Sequence, residues 1–471
     1  MKKLINYLLL SILIPGFNSC SVAPEQSGEN TTYISESREH PGYWHYKGED
    51  ALLLGGSVED NLFQIDKLED HLDLLQKSGG NYVRNTMSSR DEGNAWPFLF
   101  IDSIEKYNLR KFNPEYWERF ENFLQLTHER DIFVQIELWA TFDFYRNQWK
   151  ENPFNPKNNI NYTANRVKID TIIPTHPTWC ENAFFRSIPM QDNNMPVLEF
   201  QQKYIDKLLD ISLNYGNVLY CMDNETSVTA EWGKFWSEYV KKKASEKGVP
   251  VQTTEMWDPH DLNHLSHRES FDHPELYSFV EISQNNHQRG QNHWDNGLKQ
   301  MKRLKDAGNF RPVTNVKVYG NEEGGHGGGS QNGLESFIRA AFFGSSAVRF
   351  HRPNSGLGLS ETAQPVIKST RMLTDSMTFF DALPGNNMLS EREDNEAYLR
   401  ANPGREYALF LPKGENREVV LQLEINGEYS IQWVDILEVA WTEKERIQIK
   451  ENTIAIIPPD DKNRYALIKK I

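Results

Sequence analysis

The amino-acid sequence predicts a (β/α)8 barrel followed by a small antiparallel β-sandwich domain, and three observations lead there. From about residue 41 to 385, short β-rich runs alternate with helical patterns, eight runs in all, which marks a parallel sheet wound with helices. After Leu383-Pro384-Gly385 the apolar period drops to two and stays there to the C-terminus. The length of 471 residues leaves room for two or three domains, one of them a barrel of roughly 250 residues or more.

The candidate barrel strands are Ala51-Gly55, Tyr82-Met87, Ile132-Leu138, Val218-Met222, Val251-Met256, Tyr277-Ser283, Val313-Tyr319 and Ala347-Phe350. Between them lie amphipathic helices. Asn113-Pro114 reads as an N-cap followed by proline at the first helical position, leading into Trp117, Phe120 and Leu124 on one face. Phe200, Tyr204, Leu208 and Ile211 repeat the stripe, as do Leu334, Phe337, Ile338 and Ala341; such stripes are core contacts. The last barrel helix is expected over about 360–382. In the tail, Tyr407-Leu411, Val419-Leu423, Tyr429-Trp433, Thr453-Ile457 and Tyr465-Ile468 alternate as half-buried strands do. Loops after the strands carry the chemistry of a barrel. The loop from Trp139 to about Pro196 is long and rich in Asn, Pro, Trp and Tyr, a composition suited to contacting substrate.

Composition excludes some functions. Acidic side chains number 66 against 51 basic ones, a formal charge of −15, so nucleic acid is not expected as a partner. Hydrophobic content of 38% and charge of 25% fit neither a disordered nor a polytopic membrane chain. The N-terminus carries its own signal: Met1-Lys2-Lys3, an apolar run from Leu4 to Ile14, then Phe17-Asn18-Ser19-Cys20. This is a secretion signal, and the run is too short to span a bilayer as a helix. It resembles a bacterial lipoprotein signal, although Phe17 stands where that pattern more often has Leu. The resemblance implies cleavage after residue 19, lipidation of Cys20, a polar tether over 20–40 and anchorage to the cell envelope at the outer membrane; an ordinary cleaved signal peptide is the alternative. The domains then run 41–385 for the barrel and 386–471 for the β-sandwich. Cys180 and Cys221 are too few for a disulfide framework, and Cys221 sits in an apolar run as a small hydrophobe would.

The fourth strand ends in Cys221-Met222-Asp223-Asn224-Glu225. A glutamic acid in a partly dry pocket holds its proton more tightly than in water and can protonate a leaving glycosidic oxygen, while the adjacent amide binds a sugar hydroxyl. An Asn-Glu pair at this place resembles the large barrel-type clan of glycoside hydrolases, and the resemblance implies that Glu225 is the general acid/base. It also implies that Arg84, in Asn81-Tyr82-Val83-Arg84-Asn85, reaches the catalytic carboxylate through a charge-assisted pair. The third match fails at its key residue. The clan places a nucleophilic Glu five positions after a Pro-Val, and in Pro312-Val313-Thr314-Asn315-Val316-Lys317-Val318-Tyr319 that position holds Lys317. Three explanations stay open: Glu323 or Glu322 in the following loop supplies the carboxylate; a base such as Glu255, Asp258 or Glu281 serves an inverting reaction; or the barrel captures glycans without hydrolysing them.

The order of elements is similar to the group that includes apiosidase-type glycosidases, with a barrel and a small collagen-binding-like β domain. In the tail the similarity rests on Tyr398-Leu399, Tyr407-Ala408-Leu409-Phe410-Leu411-Pro412 and Gln432-Trp433-Val434-Asp435; its plainest meaning there is a packing domain. The glycine-rich run Gly324-Gly325-His326-Gly327-Gly328-Gly329 lacks the ending of a phosphate loop and reads as a mobile loop at the site. Arg349, His351 and Arg352, with Lys317, His326, Arg84, His287 and Arg289, ring the mouth with positive charge and suggest an acidic sugar. Trp139, Trp149, Trp179, Trp257 and Trp294 are candidate stacking platforms, and Asn224, Tyr319 and Trp257 complete the expected binding set. His260, His264 and His267 match no zinc spacing; neither metal nor cofactor is called for. A distant third reading is a polysaccharide lyase, in which Lys or His with Tyr319 removes a proton next to a uronate.

Overall fold

The computed structural model describes residues 32–325, 327–415 and 418–471; the signal, Cys20 and His326 lie outside them. Eight parallel strands form the barrel: β1 (Leu53–Gly56), β2 (Tyr82–Thr86), β3 (Phe133–Trp139), β4 (Val218–Asp223), β5 (Gln252–Thr254), β6 (Val280–Glu281), β7 (Val313–Val318) and β8 (Ala347–Phe350). Hydrogen-bonded ladders run from β5 through β4, β3, β2, β1, β8 and β7 to β6. The ring closes between β5 and β6 with Phe279 N donating to Thr253 O at 3.4 Å and Thr254 Oγ1 donating to Phe279 O at 2.8 Å. All eight expected strands are present. The fifth and sixth are shorter than the sequence suggests, because side chains replace ladder bonds: Ser278 Oγ accepts from Thr253 N at 2.9 Å and Thr253 Oγ1 donates to Leu276 O at 2.7 Å.

The expected first strand is split. Ala51 closes a three-stranded antiparallel sheet, Ser35–Glu36, Trp44–Tyr46 and Glu49–Ala51. Trp44 and Tyr46 of that sheet are buried in one cluster with Leu53, Tyr82, Phe133 and Ala347, the first residues of their strands. Burying these rings gives the N-terminal end of the barrel an apolar floor; Trp44 meets Phe279 edge-on at 5.3 Å. The opposite end, where the strands finish, carries Arg84, Glu137, Asn224, Lys317 and Arg349, all buried. Polar side chains inside a dry barrel need partners, and these find one another.

Helices form where their stripes place them. Asn113 caps Pro114–Glu129 by accepting from Glu115 N at 3.2 Å, and Trp117, Phe120 and Leu124 are buried. The last helix is shorter than expected, Ala363–Asp375, followed by turns. The segment after β2 contains a hairpin, Phe98–Ile101 paired with Lys106–Phe112, that the sequence pattern did not announce. In the long segment after β3, asparagines hold the chain to itself: Asn155 Nδ2 donates to Trp149 O and Thr171 O at 2.8 and 3.0 Å, and Asn182 Nδ2 to Phe144 O at 2.7 Å. This richness in Asn, expected to contact substrate, instead satisfies buried backbone carbonyls that short turns leave unpaired.

The C-terminal part is a β-sandwich. One sheet contains Tyr398–Asn402, Glu406–Leu411, Arg464–Lys470 and Gly427–Asp435, and a smaller one pairs Leu389–Ser390, Val419–Gln422 and Thr453–Ile456. Alternate residues such as Leu399, Leu409, Leu421 and Ile456 fill the space between the sheets. The intervening residues Tyr398, Phe410, Val434 and Tyr465 join the barrel's outer core, with Tyr465 stacked on Phe342 at 5.8 Å. Period two thus serves two interfaces at once. Arg400 closes the seam, donating to Phe342 O at 3.2 Å and to the Tyr43 hydroxyl.

Candidate active site

Glu225, two residues beyond the end of β4, has a left-handed backbone, φ +49°. A non-glycine residue there costs roughly 1–3 kcal/mol and recurs at functional sites. Both of its carboxylate oxygens are held from β7 and the residue beyond it. Lys317 Nζ lies 2.9 Å from Oε2, and the Tyr319 hydroxyl donates to Oε1 at 3.0 Å. Lys317 reaches this position through an irregularity in the β7–β8 pairing between Asn315 and Val318. Ser283 Oγ accepts from both Val316 N and Lys317 N, at 2.8 and 3.0 Å. Val316 can therefore stay in the apolar floor while its neighbour turns to the mouth, the re-aiming that a bulge permits. Asn224 Oδ1 accepts from Lys317 Nζ at 2.7 Å and from Arg84 Nη2 at 3.2 Å.

The expected direction of the Glu225 proton equilibrium is reversed. Burial raises it, but the Lys317 ammonium, helped by Arg84, overrides burial and holds the carboxyl down at about 2. Glu225 is ionised and has no proton to give. Arg84 does not bond the Glu225 carboxylate as the resemblance implied; its Nε lies 2.5 Å from Glu137 and its Nη1 3.1 Å from Asp60. Neither of those carboxylates was singled out in the sequence. Their signal was there to find, since Glu137 is one charge in the run Phe133-Val134-Gln135-Ile136-Glu137-Leu138, and a charge in a buried strand demands a counter-charge.

No family model matches the chain, and no curated protein matches it. Solved structures match in fold. A glycoside hydrolase of family 5 from Bacteroides vulgatus aligns over 93% of this chain and 94% of its own, at a TM-score of 0.60 and 12% identity. Another glycoside hydrolase aligns over 93% of this chain and 96% of its own, at a TM-score of 0.59 and 12% identity. The chain shares their fold.

Other expected site residues are placed differently. Glu255 turns outward: its Oε1 accepts from Asp223 N and Met256 N at 2.9 and 3.0 Å. Its Oε2 lies so close to Gly233, in the helix Ala230–Lys247, that a β-carbon there would sit 2.6 Å away. Burial and the adjacent Asp223 keep it protonated well above the ordinary range, as part of the packing behind the barrel. Glu281 is buried, with Oε2 accepting from Thr314 Oγ1 at 3.1 Å. Glu322 and Glu323 are exposed on the glycine-rich loop. Trp257, Trp139, Trp149 and Trp294 are buried, which removes them as platforms. Arg349 lies inside the barrel, bonded to Ser57 Oγ at 3.1 Å and Val316 O at 3.0 Å. His351, 3.7 Å from Asp60, is held well below its ordinary value by burial. Asp60 also takes Arg90 at 3.2 Å and Arg352 at 3.3 Å. Arg84, Lys317, Arg349, His351 and Arg352 of the positive ring expected to select an acidic sugar are faced by Asp60, Glu137, Glu59 and Glu225.

The Glu225–Lys317 pair should make stability depend on pH in acid. A carboxyl at about 2 in the fold and 4.5 ordinarily stabilises by about 3 kcal/mol above pH 4.5, a contribution lost as the pH falls toward 2. Burial pulls Lys317 below its own ordinary value, so the pair's net worth is smaller. Thermal melts of the wild type and Lys317→Met are expected to differ most near pH 6, with the gap narrowing as the pH falls below 4.5.

Proposed function

We propose that this chain is a glycosidase that cleaves a glycosidic bond in a poly- or oligosaccharide at the mouth formed by Glu225, Lys317, Tyr319, Arg84 and Asn224. The observation that carries the reading is Glu225 itself. A strained carboxylate at the end of β4 is held ionised, with both oxygens oriented by side chains from the far side of the barrel. Such preorganisation meets positive charge developing at an anomeric carbon. The chain's likeness in fold to glycoside hydrolases supports the reading as analogy, and the apiosidase-type resemblance of barrel plus β domain is its finer form. The lipoprotein-like N-terminal sequence supports a location outside the cytoplasm with a tether at Cys20. A screen of the mature protein against neutral and acidic plant and algal polysaccharides, reading new reducing ends, tests it; no product from any substrate overturns hydrolysis.

A second reading has its own support. Lys317 neutralises Glu225 at 2.9 Å, which suits a barrel that captures glycan without cutting it. Binding to a polysaccharide without product would favour capture.

Either way the sugar chain has a surface to lie on. Of twelve tryptophans, nine are buried, Trp96 and Trp441 are half-buried, and Trp179 alone is exposed, at 72%. It ends a short turn begun by His176, which burial and Arg146 hold below its ordinary value against a smaller opposing pull from the Glu225 charge. Stacking of a sugar on this indole should shift its fluorescence. Trp179→Ala should abolish that shift and weaken binding of a glycan found in the screen by roughly 2- to 10-fold, as titration would measure.

A further inference from the structure

We propose that Asp258, in the segment after β5, is the proton donor of this site and that Glu225 works opposite it as the nucleophile, the reverse of the role the sequence assigns to Glu225. The inference rests on the glycosidase reading and names the second carboxyl that Lys317 leaves missing.

The geometry starts from the backbone. Beyond the ends of β4 and β5 the two chains stay zipped: Thr226 N donates to Met256 O at 2.8 Å, and Asp258 N donates to Thr226 O at 2.9 Å. Asp258 is thereby fixed beside the residue that follows Glu225. Glu255, three positions earlier, faces the helix behind the barrel, whereas Asp258 is half-buried and its backbone is bonded to Thr226. The groups that act on its carboxyl are Glu225 and Ser227 from the end of β4, Lys317 from β7 and His260 from its own segment. The imidazole of His260 stacks on His287 at 3.5 Å, and His287 lies 5.2 Å from the Tyr319 ring. Lys317 and Tyr319 are committed to Glu225.

The two carboxyls accordingly separate. Glu225 is held at about 2 against burial by Lys317, while burial and the Glu225 charge push Asp258 up to about 6. Paired carboxyls whose surroundings drive them apart divide the work of acid and base. In the first step, Glu225 attacks the anomeric carbon, the bond from that carbon to the leaving oxygen breaks, and the Asp258 proton passes to that oxygen. In the second, water adds to the anomeric carbon, the ester to Glu225 breaks, and the water proton returns to Asp258. No other reactant is consumed, and the anomeric configuration is retained.

The test pairs Asp258→Asn with the wild type on p-nitrophenyl and 2,4-dinitrophenyl glycosides of the same sugars and on any polysaccharide cleaved in the screen. Wild-type kcat/KM should fall as the pH rises through about 6, where the donor loses its proton. The variant should lose that limb. It should also lose about 10²- to 10⁴-fold on the polysaccharide and far less on the dinitrophenyl glycoside, whose leaving group needs no proton. Circular dichroism checks that the variant is folded. A variant that keeps the wild-type pH profile, or loses equally on both leaving groups, overturns Asp258 as donor while the glycosidase reading stands. Absence of cleavage by the wild type at every pH overturns that reading and this inference with it.

Discussion

Exchanging Arg84 for methionine is expected to cost about 3–5 kcal/mol of stability, the largest loss from any single substitution in the barrel mouth. Breaking a buried ion pair from one side leaves a charge that neither water nor protein compensates. Arg84 is fully buried; beyond its contacts with Glu137 at 2.5 Å and Asp60 at 3.1 Å, it donates to Thr86 Oγ1 at 3.0 Å and Asn224 Oδ1 at 3.2 Å. The two carboxylates would fare differently. Asp60 keeps Arg90 and Arg352, whereas Glu137 keeps the Thr86 hydroxyl and, among the described residues, no cation within ion-pair distance. Glu137 then carries most of the cost. The urea midpoint of Arg84→Met should therefore lie far below wild type at pH 7. Adding Glu137→Gln should restore much of the loss, because a neutral amide needs no counter-ion. A double variant no more stable than the single one would show that the cost lies in lost packing around the guanidinium stem.

Arg84 and Glu137 also mark where the sequence was legible and where it was not. The eight strands, the Asn113 cap and the change to period two are local patterns, and local patterns survive into the fold. Glu225, Asn224, Lys317 and Tyr319 could be placed together because strand ends in a barrel share one mouth. What the sequence could not show was the sign of the interaction. The Glu225 carboxyl is set low by an ammonium contributed from β7, and burial alone would have set it high. Glu255 and Asp258 differ by three positions; which of them faces the helix behind the barrel depends on how the chain leaves β5, a matter of backbone bonding to Thr226. The tryptophans illustrate the same limit. Composition counts rings near strand ends, but packing decides that Trp139 and Trp257 are buried and Trp179 is exposed.

Glu225→Gln is expected to lower polysaccharide cleavage by about 10²- to 10⁴-fold or more, because an amide neither attacks an anomeric carbon nor carries the charge that stabilises one. The loss should be as severe on a dinitrophenyl glycoside as on a natural leaving group, in contrast to Asp258→Asn. A proton donor is dispensable when the leaving group is already acidic; a nucleophile is not. Lys317 complicates the comparison, since its ammonium would be left facing an amide at 2.9 Å from where Oε2 stood. The expected cost is a lower melting temperature, so activities must be compared below the variant's unfolding transition. Glu225→Ala supplied with sodium azide separates the roles. If Glu225 is the nucleophile, azide enters the vacated space and attacks the face it guarded, giving a glycosyl azide of inverted configuration. If Glu225 were instead the acid/base, azide would intercept a covalent intermediate formed elsewhere and the configuration would be retained, leaving Lys317 without a reason to hold Glu225 ionised.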